Sequence, residues 1–157
     1  MDPVLKVKSL ISLDNLSYSR DGDCAIDLRA SGKWIINLDH SKEELEQDSY
    51  EIKPNERVLI KTGLQVAIPK GCWGEIKTRS GHAFHNGIHI LGGVIDENYR
   101  GEIGVILVNL SQKPFQINKN DRVAQMIILE YKKVKVEYVN DLDDTNRNLD
   151  GFGSSGK

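Results

Sequence analysis

Three consecutive residues, Arg79, Ser80 and Gly81, follow a β-rich run and combine a guanidinium group, a hydroxyl group and an unhindered backbone amide. A guanidinium group can donate two parallel hydrogen bonds to one phosphate, and the hydroxyl and amide groups add further donors. On these residues alone, a surface turn with a solvated arginine is the simpler interpretation. The segment is therefore a candidate phosphate-binding loop that requires support from elsewhere in the chain.

A second candidate is the segment 92–101, which contains Asp96 and Tyr99 and has glycines at both ends. Its composition indicates a tight hairpin after an apolar strand, where a lone aspartate usually serves only the turn. A carboxylate held on a rigid hairpin can also act as a general base. Together with Gln125 and the ring of Phe152, the two segments supply phosphate-binding, general-base and base-stacking groups, a combination that few functions need.

The stretch from Gly151 to Lys157 matches the G-x-x-x-x-G-K part of a P-loop. That motif also requires a preceding strand, a serine or threonine after the lysine and a following helix. This sequence provides none of them, so we expect no P-loop. Its glycine-spaced amides and the hydroxyls of Ser154 and Ser155 can still contact phosphate oxygens if the stretch is a flexible arm that closes over a ligand.

Three histidines, His82, His85 and His89, lie at the short spacing that is common among zinc ligands. In a regular strand, however, His82 and His85 would point to opposite faces. No cysteine or evident fourth ligand lies nearby in the sequence. We therefore expect packed or solvent-facing histidines and assign no metal to them.

The composition restricts the class of protein. The 157 residues include 21 Lys+Arg and 23 Asp+Glu, giving a net charge of −2, and 39% are hydrophobic. Such a chain can bury one core, and its charge argues against nucleic-acid binding. Without a signal-like apolar run or a stretch of about 18 apolar residues, we expect no membrane association and an intracellular location, cytoplasmic or nuclear. Cys24 and Cys72 form no CxxC pair, which favours reduced, buried thiols.

Most of the chain alternates between apolar and polar residues, the pattern of half-buried antiparallel strands. The alternation is cleanest at Val134, Val136 and Tyr138, which would share one face. Other short β-rich runs, separated by turn residues, span residues 5–8, 34–38, 57–62, 64–68, 73–78, 103–109 and 123–131. Many short strands at near-regular spacing predict an all-β sandwich or barrel.

Two segments depart from the alternation. In residues 41–48, Ser41 and Glu44 fit a capping box, which makes this the one helical candidate. Because Leu45 is its only large apolar residue, we interpret it as a solvated surface turn inserted between strands. From residue 140 onward the chain has almost no core-forming residues and should be mobile by itself. The sequence thus predicts a β core at 1–139, with the insertion at 41–48, and a C-terminal arm at 140–157.

Five segments, in this order, resemble the motifs of the trimeric dUTP diphosphatase (dUTPase) family and span nearly the whole chain. They are Cys24-Ala-Ile-Asp-Leu28, Arg79-Ser-Gly-His-Ala83, Gly93-Val-Ile-Asp-Glu-Asn-Tyr-Arg-Gly101, Asp121-Arg-Val-Ala-Gln-Met-Ile127 and the stretch from Arg147 to Gly156. The third and fourth match closely. The resemblance implies a jelly-roll-like antiparallel β fold and a homotrimer, in which all three subunits build each active site and a flexible C-terminal arm, usually from a neighbour, closes it.

The resemblance also implies a reaction, the Mg²⁺-dependent hydrolysis of dUTP to dUMP and pyrophosphate. Asp96 would be the general base for the water that attacks the α-phosphorus, and Asp27 would hold Mg²⁺ through water. Phe152 would stack on uracil. The remaining residues that would contact the phosphates are Arg79, Ser80, Gly81 and Gln125, joined by Arg147, Gly153, Ser154 and Ser155 when the arm closes.

Selectivity for the nucleotide follows from the same resemblance. The backbone of Gly93, Val94 and Ile95, with Gly104 opposite, would hydrogen-bond the edge of uracil. Tyr99 would lie beneath the deoxyribose and exclude a ribose 2′-hydroxyl, while the tight hairpin would exclude a C5 methyl group. The implied reaction limits uracil incorporation into DNA and supplies dUMP for dTTP synthesis.

The sequence departs from the family pattern without losing a charged catalytic group. The departures are Ala25, Ile26, Thr78 and His82 in the core motifs, and Asn148 and Asp150 where glycines are usual in the arm. Two alternatives stay open. One is a catalytically silent dUTP-binding or protein-partner module on the same fold. The other is a nucleotide deaminase of the related fold, which would need a proton-shuttling glutamate, and pyrophosphate release without ammonia would exclude both.

Overall fold

The computed structural model describes residues 3–12, 16–38 and 41–146, and strands dominate this part of the chain. Its elements, in chain order, are β1 (Lys6–Ser9), β2 (Ala25–Arg29), β3 (Lys33–Leu38), β4 (Ser41–Glu46), β5 (Ser49–Ile52), β6 (Arg57–Ala67), β7 (Cys72–Lys77), α1 (Ser80–Asn86), β8 (Ile88–Leu91), β9 (Val94–Ile95), β10 (Glu102–Asn109), β11 (Phe115–Asn118) and β12 (Arg122–Glu130). The predicted all-β class is therefore confirmed. No helix within the described ranges is long and apolar enough to cross a membrane.

The strands form antiparallel sheets around a shared core. The largest sheet has the order β4-β3-β6-β10-β8, with β1 also paired to β6, a second has the order β2-β12-β7-β9, and β11 pairs with β5. Buried Leu28, Ile60 and Ile117 come from these different sheets and belong to one hydrophobic cluster. The alternating residues therefore bury their apolar faces between the sheets, as the period-two pattern predicts.

The single strand β6 covers all but the last residue of two segments, residues 57–62 and 64–68, that the sequence predicted as separate strands. Gly63 in its middle has a φ of +70°, a conformation that favours glycine. The pairing of β6 with β10 shifts register between Glu102 and Gly104, and a Cβ on Gly63 would lie 2.5 Å from Cγ1 of Ile11. The glycine thus marks an irregularity within one strand, whereas the sequence suggested a break between two.

The interpretation of residues 41–48 as a capped turn is wrong. Ser41–Glu46 form β4, which pairs antiparallel with β3 and places Leu45 opposite Trp34. Backbone pairing with β3 and packing of Leu45 on the core outweigh the capping-box pattern. The charged side chains of this edge strand are exposed, an arrangement that protects a sheet edge from pairing with another chain.

Three other details differ from expectation. Helix α1 was not predicted, because none of its residues is buried and it has no apolar face; it is followed by Gly87 in the left-handed region. Residues 134–138 form no strand, since none of the described strands pairs with them. Both cysteines are free, but only Cys72 is buried, whereas Cys24 is exposed.

Candidate active site

The candidate phosphate-binding loop directly follows β7. Arg79 has an extended backbone (φ −71°, ψ 135°) and caps α1, whose first turn contains Ser80 and Gly81. All three residues line a cavity of about 600 Å³. The same cavity is lined by Arg29, Asn120, Asp121, Arg122 and Gln125. Its arginines outnumber its single aspartate, so the cavity has the positive charge that a polyphosphate requires.

Asp27, on β2, is held by two arginines beside this cavity. Its Oδ1 lies 2.9 Å from Nη1 of Arg79, and its Oδ2 lies 3.3 Å from Nη1 of Arg122. The hydroxyl of Ser19 donates a further hydrogen bond to Oδ2 at 3.0 Å. With only 16% of its side chain exposed, the carboxylate has a fixed orientation relative to Arg79.

Strand register explains how Gln125 reaches the same place. Strand β12 lies between β2 and β7, and Gln125 is opposite Asp27 on one side and Lys77 on the other. The side-chain amide of Gln125 donates a hydrogen bond to the carbonyl oxygen of Thr78 at 3.1 Å, next to the phosphate-binding loop. The structure therefore brings together the core residues that the resemblance assigned to phosphate and metal, namely Asp27, Arg79, Ser80, Gly81 and Gln125.

The hairpin that carries Asp96 depends on a close backbone contact. Gly93 has a φ of +109°, and a Cβ there would lie 2.9 Å from the carbonyl oxygen of Ile76. The carbonyl oxygen of Gly93 accepts a hydrogen bond from the N–H of Ile76 at 2.8 Å. Strand β9 then pairs with β7, with Ile95 opposite Gly74. Asp96 follows β9 directly, and its side chain is exposed.

Tyr99 is fixed within the same hairpin. Its hydroxyl donates a hydrogen bond to the carbonyl oxygen of Glu102, and its N–H donates to the carbonyl oxygen of Asp96, both at 3.1 Å. The ring lies against Gly101, where a Cβ would come within 2.3 Å of the Tyr99 hydroxyl oxygen. Gly101 is thus the residue that leaves space for this position of the tyrosine ring.

The hairpin and the phosphate-binding loop line different cavities of one chain. The hairpin cavity, of about 440 Å³, is lined by Gly93, Val94, Ile95, Asp96, Tyr99 and Gly104. Neither Arg79 nor Ser80 lines it, and Asp96 does not line the cavity of the phosphate-binding loop. The expected arm residues Arg147, Phe152, Gly153, Ser154 and Ser155 lie outside the described residues.

The histidines lie in surroundings that the sequence did not indicate. His82 and His85 belong to α1 rather than to a strand. Nε2 of His82 donates a hydrogen bond to the carbonyl oxygen of Arg122 at 2.9 Å, and its ring meets Phe115 edge to face. Among the residues that the structure describes, no group of three or more His, Cys, Asp or Glu side chains could hold a metal ion.

Sequence reasoning missed two residues that lie next to the expected ones. Arg122 binds Asp27, and its signal was its position in the motif that contains Gln125. Glu97 follows Asp96 in the hairpin motif, and its carboxylate accepts a hydrogen bond from the distant Gly71. The motif spacing placed both residues near the site, but nothing in the sequence identified their partners.

The fold and these clusters define an all-β protein with one cavity lined by arginines and a second, hairpin-lined cavity that carries a carboxylate. The family model for dUTPase matches residues 45–156. The chain therefore belongs to the dUTPase family. It is similar to the deoxyuridine 5′-triphosphate nucleotidohydrolase of Trichodesmium erythraeum, with 40% identity over 155 residues that cover 97% of this chain and 98% of the relative.

Viral and mammalian proteins of the same name are also similar to this chain. The nucleotidohydrolase of this name from Vaccinia virus (strain Copenhagen) is 50% identical over 107 residues, 68% of this chain and 72% of the relative. The mouse protein is 45% identical over 108 residues, 69% of this chain and 67% of the relative.

Solved dUTPase structures share the fold. A variant of the Staphylococcus bacteriophage 80alpha dUTPase with dUpNHpp superposes with a TM-score of 0.80 at 22% identity, covering 98% of this chain and 99% of the phage chain. The dUTPase from phage phi11 of S. aureus gives a TM-score of 0.73 at 20% identity, covering 90% of this chain and 99% of the phage chain. These likenesses confirm the antiparallel β fold expected from the resemblance.

Proposed function

We propose that this protein hydrolyses dUTP to dUMP and pyrophosphate, with Asp96 as the general base for the water that attacks the α-phosphorus. The observation that carries the proposal is the hairpin, which presents Asp96 at the wall of the same cavity as Gly93 and Tyr99. Membership of the dUTPase family supports dUTP as the substrate. In the cell, the reaction would limit uracil incorporation into DNA and supply dUMP for dTTP synthesis.

In the proposed proton transfer, Asp96 is the acceptor. This residue follows a strand that is paired to β7, so its carboxylate starts from an ordered backbone. It would accept one proton from the attacking water while the pyrophosphate group leaves from the opposite side of the α-phosphorus. The proton would then rest on an oxygen of Asp96 until the products leave and it returns to solvent.

Arg79, Ser80, Gly81 and Gln125 would bind the phosphates. The ion pair with Asp27 orders the guanidinium group of Arg79 before substrate arrives. A triphosphate carries more negative charge than one carboxylate and offers geometry for two parallel hydrogen bonds, so it would compete well for this group. Preordering of Arg79 reduces the side-chain entropy that binding would otherwise remove.

Selectivity would come from the backbone and from Tyr99. The peptide groups of Gly93, Val94 and Ile95, with Gly104 opposite, would read uracil, and all four residues line the hairpin cavity. The hydrogen bond from Tyr99 to Glu102 holds the ring in place. A fixed ring beneath the sugar would clash with a 2′-hydroxyl, and the narrow hairpin would exclude a C5 methyl group.

Mg²⁺ is the cofactor that we propose, and the donors of the chain fit it. Mg²⁺ keeps most of its waters in proteins and usually takes one or two carboxylates together with substrate phosphates. Asp27 offers one such carboxylate beside Arg79, and a structural Mg(II) ion is described for a phage phi11 dUTPase. Asp27 would hold the ion through water. The bound ion would neutralise charge that develops on the phosphates.

We further propose a homotrimer that shares its active sites, with the arm at 140–157 supplied by a neighbour. The separation of the hairpin cavity from the loop cavity within one chain supports this arrangement. So does the segment after β12, where Val134, Val136 and Tyr138 are exposed although their spacing is that of a strand. The arm would add Arg147, Gly153, Ser154 and Ser155 to the phosphates and Phe152 to uracil.

Steady-state kinetics with dUTP, UTP, dTTP and dCTP, with and without Mg²⁺, test the proposal. We expect Mg²⁺-dependent release of pyrophosphate from dUTP and little from the other three. Asp96→Asn should retain dUTP binding and lose about 10²-fold or more in kcat, since general-base catalysis contributes about that much. Near-normal turnover would overturn the role of Asp96. Release of ammonia would favour the deaminase alternative, and binding without turnover would favour the silent module.

A further inference from the structure

Glu97, the residue after the proposed base, joins three parts of the described chain. Its Oε2 accepts a hydrogen bond from the N–H of Gly71 at 2.6 Å. The carbonyl oxygen of Gly71 accepts a hydrogen bond from the N–H of Tyr131 at 3.0 Å. The side chain of Tyr131 lies beside that of Glu97, and both line one cavity. Glu97, Gly71 and Tyr131 therefore form a closed set of contacts, which we call the hairpin anchor.

The bond between Gly71 and the Glu97 carboxylate is the strongest contact of the hairpin anchor. Hydrogen bonds from a neutral donor to a carboxylate are shorter and stronger than neutral pairs. Gly71 has a φ of +80° in the turn before β7, a conformation that favours glycine. Partial burial, followed by the negative charges of Glu97 and Asp96, raises the pKa of Tyr131.

The hairpin anchor holds the backbone after Asp96, whereas β9 holds the backbone before it. Before Asp96, the backbone is fixed because Ile95 pairs with Gly74. After Asp96, the next contact to another part of the fold is the Glu97 carboxylate on Gly71. Asp96, Glu97 and Tyr131 also line one cavity of about 590 Å³, so the anchor lies beside the proposed base.

We propose that Glu97 is a positioning residue, which holds the Asp96 carboxylate at the attacking water by tying the hairpin to Gly71 and Tyr131. This inference rests on the proposed role of Asp96 as general base. A displacement of about 1 Å in a catalytic group can lower the rate about 10²-fold. The proposed phosphate contacts lie in the other cavity. The proposed uracil contacts, Gly93, Val94 and Ile95, precede Asp96 and are held by β7. Loss of the anchor should therefore lower kcat and leave KM for dUTP nearly unchanged.

The test compares Glu97→Ala, Glu97→Gln, Tyr131→Phe and Asp96→Asn in the full chain. We expect Glu97→Ala to lose about 10- to 100-fold in kcat with KM within about threefold of wild type. Glu97→Gln should recover most of the turnover, because its amide oxygen still accepts the Gly71 hydrogen bond. Tyr131→Phe removes the hydroxyl beside Glu97 and leaves the glutamate in place, so a loss of only about threefold in kcat is expected. Glu130→Ala, an exposed carboxylate next to Tyr131, is the matched control.

The outcomes separate this inference from the proposed function. If Asp96→Asn is inactive while Glu97→Ala keeps kcat within about twofold of wild type, Glu97 does not position the base, although Asp96 remains the base. If Asp96→Asn turns over normally, both the base and its positioning residue are overturned. Thermal unfolding accompanies each assay. A lower kcat, a higher KM and a lower Tm in both Glu97→Ala and Tyr131→Phe, without recovery in Glu97→Gln, would show a general structural role. That result would contradict the proposal.

Discussion

Asp27 and Arg79 are 52 positions apart in sequence, yet Oδ1 of the carboxylate accepts a hydrogen bond from Nη1 of the guanidinium group at 2.9 Å. Arg122 binds the second carboxylate oxygen. The contact connects the residue proposed to hold the hydrated metal with a residue proposed to bind phosphate. Each side chain therefore has a defined orientation before the substrate arrives, and each can be removed separately to test its role.

Replacement of Arg79 should weaken substrate binding. Arg79→Gln removes the charge and the paired donors, and a hydrogen bond to a charged group contributes about 1.5–3 kcal/mol. We expect KM for dUTP to rise about 10- to 100-fold, measured by initial rates of pyrophosphate release. Arg57→Gln is the control, because Arg57 is exposed at the start of β6 and lines neither cavity. A KM within about twofold of wild type would remove Arg79 from the phosphate site.

Replacement of Asp27 should change the metal requirement. Asp27→Asn preserves shape but cannot accept from metal-bound waters as strongly as a carboxylate. We expect the Mg²⁺ concentration for half-maximal activity to rise about tenfold, a change that corresponds to about 1.4 kcal/mol. The measurement is a Mg²⁺ titration at saturating dUTP, with the exposed turn residue Asp21→Asn as control. An unchanged titration would contradict the proposed role of Asp27.

Local patterns were sufficient to predict most of the fold. Alternation is a property of neighbouring residues, so β7, β10 and β12 were predicted to within one or two residues. The elements that the sequence did not reveal depend on distant contacts. Residues 41–46 form strand β4 because their backbone hydrogen-bonds with β3. Residues 134–138 form no strand because none of the described strands pairs with them.

Candidate site residues were predictable where they lie together in one sequence motif. Asp96 and Tyr99 share a hairpin, and Arg79 is next to Ser80 in sequence. Contacts between motifs were not predictable, because Glu97 meets Gly71 across 26 positions and the pair has no spacing signature. The separation of the two cavities likewise follows from strand order and not from the order of the motifs along the chain.

Gly101 should control discrimination between deoxyribose and ribose. A Cβ at this position would come within 2.3 Å of the Tyr99 hydroxyl oxygen, so Gly101→Ala must displace the ring that is proposed to exclude the 2′-hydroxyl. We expect the ratio of kcat/KM for dUTP to that for UTP to fall about tenfold or more. Tyr99→Phe keeps the ring and removes only the hydrogen bond to Glu102, so it should retain most of the selectivity. An unaltered ratio in Gly101→Ala would show that the ring position does not set sugar selectivity.

Shared active sites should allow two inactive chains to restore activity. Asp96→Asn lacks the proposed base, and a chain without residues 147–157 lacks the proposed arm contacts. If the hairpin of one subunit works with the arm of another, mixed trimers contain some sites with an intact hairpin and an intact arm. We expect unfolding and refolding of the two variants together to give measurable pyrophosphate release, while each variant refolded alone stays near background. Mixing without refolding is the control for subunit exchange. Analytical ultracentrifugation of the mixture should give a trimer, and a trimer without recovered activity would show that each site uses the hairpin and arm of a single chain.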